Sequence, residues 1–323
     1  MSRKRRERRQ QLDPTPDPPE ELVERLEAVL PPEALDALLH ADRRPSGVTI
    51  RANTLRAAPE AVRETLEATG IGTTPIEWCD HAFRVDATPR ELQECPAWTA
   101  GHFHIQSLSS IATSLMLEPR PGERVLDMCA APGSKTSHIA ALMRNEGELV
   151  ANELSKARMH RMRAVLEQLG ARARTRVGPG ERIGRGDPDT YDRVLVDAPC
   201  SGEGRIDPGD PGTWSNWRKS LPRRLGSRQK SLLHSAIDAV RPGGVVVYST
   251  CTFAPEENEL VLQRALDLYG DRIALEPLPI EIPGSLRPLP SWRDRDLPEL
   301  GHAVRLAPPT MDGFFIARIR RHA

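Results

Sequence analysis

The sequence predicts an α/β protein in which a doubly wound, mostly parallel sheet follows a small α/β module. Three observations carry this. From Arg124 onward, short apolar runs alternate with segments of helical periodicity, as in a parallel sheet covered by helices on both faces. Several of those runs empty into loops of small and polar residues, as strands do at the ligand-bearing edge of an open sheet. The 323 residues leave room for about two domains at roughly 150 residues each.

Residues 1–19 combine Arg3, Lys4, Arg5, Arg6, Arg8 and Arg9 with Pro14, Pro16, Pro18 and Pro19, too polar and proline-rich to pack, so a flexible basic arm is expected. Residues 20–95 are expected to form the module. They hold two short helical patterns, the alternating segment Val48-Thr49-Ile50-Arg51, a helix from Pro59 to Thr69 stopped by Gly70, and a strand near Ile76 to Val85. Residues 96–323 form the larger domain, with strands over Arg124–Met128, Glu148–Asn152, Arg193–Val196 and Val245–Tyr248. Helices are expected over Lys135–Met143, Ser155–Leu169 and Ser227–Val240. Gly313 to Arg318, with its paired phenylalanines, reads as a late strand added to the same sheet.

Hydrophobic residues at 38% and charged residues at 28% describe a globular chain rather than a disordered one. No apolar run approaches the ~18 residues of a membrane span, and the basic start is followed by polar rather than apolar sequence, so a cytoplasmic location without a secretory signal is expected. The five cysteines, at 79, 95, 129, 200 and 251, include no Cys-x-x-Cys and no histidine at zinc-ligand spacing. Disulfides and bound metal are therefore not expected, and each thiol is either a packed apolar group or a reactive one. The formal net charge is zero, but arginines at 158, 161, 163, 172, 174 and 176 crowd one stretch. Such a run fits a solvated face as well as a nucleic-acid surface.

Chemistry concentrates at the ends of the strands. Val125-Leu126-Asp127-Met128 leads into Cys129-Ala130-Ala131-Pro132-Gly133-Ser134-Lys135, a tight loop of small residues that opens a helix. Small side chains admit a ligand close to the backbone, and the amides of a helix N-terminus favour a carboxylate or phosphate. The loop lacks the leading glycine of a dinucleotide or nucleoside-triphosphate loop. The next strand ends at Glu153, placed to accept hydrogen bonds from the two hydroxyls of a ribose. A ligand with a carboxylate at one end and a nucleoside at the other, as in S-adenosylmethionine, matches both features. Two further apolar strands end in Asp197-Ala198-Pro199-Cys200 and Ser249-Thr250-Cys251. One cysteine after an apolar strand is more often inert packing; two at equivalent strand ends, beside an acid, point to thiol chemistry.

These residues carry a resemblance to the Sun/RsmB/RsmF family of RNA 5-cytosine methyltransferases. It runs from Arg51-Ala52-Asn53-Thr54-Leu55-Arg56 through Gly101-His102-Phe103-His104-Ile105-Gln106, the cofactor loop and the Asp197 to Gly204 block. It continues through Ser249-Thr250-Cys251-Thr252 with Glu256-Glu257-Asn258-Glu259, to Asp312-Gly313-Phe314-Phe315-Ile316-Ala317. The stretch from Arg205 to Trp214 is most similar to the RsmF branch, which acts on small-subunit ribosomal RNA. The resemblance implies a Rossmann-like class I methyltransferase sheet, an N-terminal RNA-binding module, S-adenosylmethionine as cofactor and RNA as partner. Ribosomal RNA is the favoured substrate and transfer RNA the alternative; a monomer is expected.

It further implies that Cys251 adds to carbon 6 of cytosine to activate carbon 5, that Asp197 hydrogen-bonds the ring edge, and that Cys200 assists breakdown of the adduct. Lys135 is a candidate source of positive charge beside the thiolate. Cofactor binding is carried onto Cys129, Ala130, Ala131, Pro132, Gly133, Ser134, Lys135, Glu153, Arg158 and Asp197. This chain departs from the family in having Pro179-Gly180 where an Asp-Gly commonly sits near the adenine, which removes a side-chain hydrogen bond. Three rivals remain at this stage: a DNA cytosine methyltransferase, for which Cys200 would be the nucleophile; a catalytically idle RNA-binding factor of ribosome assembly; and, last, a doubly wound nucleotide-binding domain of another activity. Trp78, Trp98, Trp214 and Trp217 are candidates for base stacking, with buried packing the more common role.

Overall fold

The computed structural model describes residues 17–40, 47–297 and 300–323. The expected basic arm therefore lies outside the described residues except for 17–19. Two short helices come first, α1 (Glu20–Glu27) and α2 (Pro32–Leu39), the second opened by a proline at its first turn. Their buried Leu22, Leu26 and Leu38 pack against Ile206, Trp214, Trp217 and Phe253 of the larger domain. Trp214 and Trp217 are thus core residues. Trp98 and Trp78 are half-buried, Trp98 stacked on His104 with ring centroids 5.9 Å apart.

The module is built from β1 (Val48–Ala52), α3 (Pro59–Ala68), β2 (Thr73–Ile76), β3 (Cys79–Val85), α4 (Pro89–Glu94), α5 (Pro96–Thr99) and β4 (Phe103–Ile105). Its sheet is antiparallel in the order β2-β3-β1-β4. The strand expected near Ile76 to Val85 is in fact a hairpin, because Glu77-Trp78 turn the chain between β2 and β3. The sheet also takes its fourth strand from beyond residue 95, where the sequence had suggested a boundary: three residues are too few to announce a strand by alternation.

The larger domain adds α6 (Leu108–Leu117), β5 (Arg124–Asp127), α7 (Ser134–Leu142), β6 (Glu148–Glu153), α8 (Lys156–Leu169), β7 (Arg174–Val177) and α9 (Ile183–Gly186). It continues with β8 (Tyr191–Asp197), α10 (Leu221–Ala239), β9 (Val240–Thr250), α11 (Glu259–Tyr269) and β10 (Ile273–Glu276). A small hairpin, β11 (Ser291–Trp292) and β12 (Arg295–Asp296), precedes β13 (Val304–Leu306) and β14 (Phe314–Arg321). The sheet order is β10-β14-β9-β8-β5-β6-β7. The strands from β7 to β9 are parallel, β14 is antiparallel to β9, and β10 and β13 share the outer edge of β14.

Side chains on the central strands alternate between two buried faces. Leu126, Val194, Val196 and Val246 meet Leu232, Ala236 and Leu262 of α10 and α11 on one side. Val125, Leu195, Val245 and Val247 meet Ile111, Met116 and Ile139 of α6 and α7 on the other. Burial on both faces is what made these runs continuously apolar. β7 is the exception: its Arg-Thr-Arg-Val sequence lies half-exposed at the edge and carries no apolar run. Much of the arginine-rich stretch is spent on ion pairs, Arg174 with Glu148 and Arg176 with Asp187 among them.

Candidate active site

Strand order reverses at β5, whose neighbours β6 and β8 lead away in opposite directions, so the crevice at the carboxyl ends opens there. A cavity of about 600 Å³ occupies it. The sequence-predicted residues Cys129, Ala130, Ala131, Pro132, Ser134, Lys135, Glu153, Arg158, Asp197, Cys200 and Cys251 all line its wall. Gly133 stands behind the wall. Its φ of +108° is in the left-handed region, and a Cβ there would come 3.0 Å from Met162 Cγ, so glycine is what lets the loop turn into α7. Thr136 donates to Asp127 Oδ2 at 2.7 Å and ties the loop to its strand.

Glu153 ends β6 almost fully buried; its Oε1 accepts the Ser155 amide at 2.8 Å and its Oε2 lies 3.2 Å from Arg158. Arg158 also donates to the Ala131 carbonyl at 2.6 Å, joining the first two loops of the crevice. Burial pushes the Asp127 carboxyl up to about 7 and raises the Cys129 thiol, so Cys129 meets the cavity as a neutral thiol.

The other half of the cavity holds the two thiols. Cys200 Sγ and Cys251 Sγ are 3.0 Å apart, and the Cys251 amide donates to Cys200 Sγ at 3.2 Å. The contact with Cys200 lowers Cys251 from the ordinary thiol value against the effect of burial, with Arg205 and Lys135 adding smaller favourable charge. The same contact, together with burial, raises Cys200. Lys135, the expected source of positive charge, contributes to the lowering of Cys251 and is also paired with Asp197 Oδ2 at 2.8 Å, 5.1 Å from the Phe314 ring centre. Asp197 Oδ1 accepts from Ser249 at 2.9 Å, so both oxygens of this carboxylate are oriented.

A buried polar network holds the two cysteine loops together. Glu257 accepts from the Ser201 amide at 3.0 Å, from the Ser201 hydroxyl and from Gln229 at 2.8 Å, and burial raises its carboxyl to about 7. Thr252 meets Ser201 at 2.7 Å and donates to Glu203 at 3.2 Å; Glu203 also receives Trp217 at 3.1 Å and Arg25 at 3.0 Å. Ser249, Glu257, Glu203, Arg205 and Arg25 were not assigned roles from sequence. Glu257 sits in a stretch already singled out, but Arg25 lies 178 residues from Glu203 and carries no local signal.

Residues 114–320 match the model of the family described as 16S rRNA methyltransferase RsmB/F, and residues 19–90 match the ferredoxin-like domain of RsmF/B-like methyltransferases. The chain belongs to the RsmB/F methyltransferase family. The ferredoxin-like match covers all but the last strand of the antiparallel sheet described above. Among RsmB/F relatives, the ribosomal RNA small subunit methyltransferase F of Vibrio campbellii is 37% identical over 94% of this chain and 63% of its own length. That of Escherichia fergusonii is 36% identical over 93% of this chain and 62% of its own. The chain thus spans under two thirds of the curated relatives it matches. A solved methyltransferase homologue from Pyrococcus horikoshii superposes with a TM-score of 0.75 at 29% identity, covering 94% of this chain and 99% of that one. The NSun6 structure from the same organism shares the fold, with a TM-score of 0.80 at 23% identity over 94% of this chain and 98% of that one. Among the described residues no helix is long and apolar enough to cross a membrane.

Proposed function

We propose that this chain transfers a methyl group from S-adenosylmethionine to carbon 5 of a cytosine in ribosomal RNA, with Cys251 as the covalent nucleophile. The observation that carries this is geometric: two thiols 3.0 Å apart share one cavity with an Asp197 carboxylate oriented by Lys135 and Ser249. A DNA-type reaction would use Cys200 as the nucleophile, a thiol that the neighbouring Cys251 and burial raise.

The cavity suits the cofactor. Amides at the start of α7 would favour a ligand carboxylate, and the buried Glu153 carboxylate suits ribose hydroxyls. S-adenosylmethionine supplies an electrophilic methyl group when bound. Cys251 forms a bond to carbon 6 of the cytosine, which gives carbon 5 the nucleophilicity of an enamine. Asp197, fixed by Lys135 and Ser249, holds the ring edge and supports proton arrival at the ring nitrogen. Once carbon 5 is methylated its proton passes to solvent, the electron pair of that bond re-forms the carbon 5–carbon 6 double bond, and the carbon 6–sulfur bond breaks to release Cys251 as thiolate, a breakdown that Cys200 assists.

The N-terminal module, for which we retain residues 20–95 with β4 as the strand that crosses into the catalytic domain, is proposed to bind RNA. A second cavity of about 240 Å³ supports this: it joins Thr49 and Arg84 of the module to Ser107 and Asp312, which also line the catalytic crevice. The proposed setting is the cytoplasm, where ribosomal RNA is available. The proposed working form is a monomer, since one chain supplies both thiols and Asp197.

The test is incubation with labelled S-adenosylmethionine and RNA lacking the modification, followed by nucleoside analysis. 5-Methylcytidine in ribosomal RNA, lost in Cys251→Ala, is expected. Methylation of transfer RNA alone would replace the substrate, and a chain that neither binds the cofactor nor methylates would be the idle assembly factor.

A further inference from the structure

The nucleoside end of the cavity is marked by Glu153 on β6 and, beyond it, by the turn after β7. There the Pro179-Gly180 turn offers no side-chain hydrogen-bonding group. Gly178 and Gly180 present backbone, and α10 closes the end with Leu232 and, one helical turn earlier, Arg228. Of the lining residues contributed by this turn and this helix, only Arg228 carries a polar side chain.

Arg228 is anchored. Its Nε donates to Glu181 Oε1 at 2.6 Å, and Glu181 belongs to the 3-10 turn Gly180–Arg182 that follows Pro179. Neither Nη group has a hydrogen-bond partner among the described residues, so these donors remain available at the cavity wall. The charge is felt at the cavity floor, where it opposes the upward push of burial on Cys129.

Resting on the reading of the cavity as an S-adenosylmethionine site, we propose that Arg228, held by Glu181, recognises the purine ring in place of the side chain that Pro179 removes. The chemistry has a consequence. A carboxylate at this position would accept from the exocyclic amine of adenine and would reject a purine bearing an oxygen there. A guanidinium only donates, so it pairs with acceptors of the ring, among them a 6-oxo group, and can also stack on the ring face. This site therefore tolerates hypoxanthine in place of adenine.

The experiment is calorimetric titration of S-adenosylhomocysteine and S-inosylhomocysteine into the wild type, Arg228→Ala and Glu181→Gln, with circular dichroism confirming that each variant folds. The wild type is expected to bind the two ligands with affinities within about threefold of each other. Arg228→Ala should weaken both by about tenfold or more, the scale of a hydrogen bond to a charged group. Glu181→Gln should weaken both less, since the guanidinium remains and the amide oxygen still accepts from its Nε, only without the opposing charge. Unchanged affinity in Arg228→Ala, or rejection of the inosyl ligand by the wild type by about a hundredfold, overturns the assignment while leaving the proposed function intact. Failure of the wild type to bind S-adenosylhomocysteine overturns both.

Discussion

The Cys251 amide donates to Cys200 Sγ, and the two sulfurs stand 3.0 Å apart, so one loop delivers a hydrogen bond to the thiol that in turn supports its own. Two thiols this close titrate as a pair: the first proton leaves easily because the second is shared. Alkylation of Cys251 by iodoacetamide, followed by mass spectrometry of its peptide, should have its midpoint below the ordinary thiol range. In Cys200→Ala the midpoint should move upward, because burial and Asp197 then act on Cys251 without that donor. A midpoint unmoved by the substitution would assign the thiolate's support to Arg205 and Lys135 instead.

Asp197 is oriented from both sides, by Lys135 and by Ser249. Asp197→Asn should lower single-turnover methyl transfer by ~10²–10⁴-fold, the usual scale for a positioned acid–base group. Ser249→Ala removes one hydrogen bond to this carboxylate while leaving Lys135 in place, and should cost only about tenfold. Equal losses in the two variants would mean that Ser249 does more than orient Asp197.

Arg25 ties α1 to the cysteine loops through Glu203, which is fully buried, and through Glu256. Arg25→Ala strands a buried carboxylate, and such losses cost ~3–5 kcal/mol. Urea denaturation should show that loss, and Arg25→Met combined with Glu203→Gln should recover a large part of it, since the fully buried charge is gone and the more exposed Glu256 retains Arg293 nearby. If the double variant is no more stable than Arg25→Ala, packing of α1 rather than the uncompensated charge accounts for the loss.

Three histidines lie between the module and the catalytic domain. Burial, reinforced by the Arg51 charge, holds His104 at about 3 and lowers His138 well below its ordinary range; burial and Arg51 hold His81 at about 4. The unfolded chain protonates these groups near ~6.5, so between that pH and about 4 it binds protons that the folded chain refuses. Stability therefore rises with pH across this window and falls on acidification, by at most ~1.4 kcal/mol per pH unit for each histidine. Thermal unfolding from pH 7.5 to 5 should show the fall. His104→Gln, which can still reach Ser134, should make it shallower, and an identical slope would exclude His104 as a contributor.

The catalytic sheet was legible from sequence because its strands are buried on both faces and its helices are amphipathic; Val245 to Tyr248 could hardly be anything but a central strand. β7, with exposed arginines, and β4, with three residues, gave no such signal, since an edge or a short strand need not be apolar. The same contrast holds for the site. Strand ends and small-residue loops placed Asp127 to Lys135, Glu153, Asp197, Cys200 and Cys251 around one crevice before any coordinates, because topology alone brings the carboxyl ends of parallel strands together.

What the amino-acid order alone determined is therefore the sheet, the crevice and the identity of the groups facing it. Only the tertiary structure decided that the two thiols come within 3.0 Å of each other, that Lys135 pairs with Asp197, that Arg25 reaches Glu203 behind the cysteine loops, and that Arg228 of a distant helix lines the cavity. The physical reason is range. Periodicity and turn chemistry act over a few neighbouring residues, whereas the protonation of Cys200 and Cys251 depends on a 3.0 Å approach between loops 51 residues apart, which exists only once both faces of the sheet are packed.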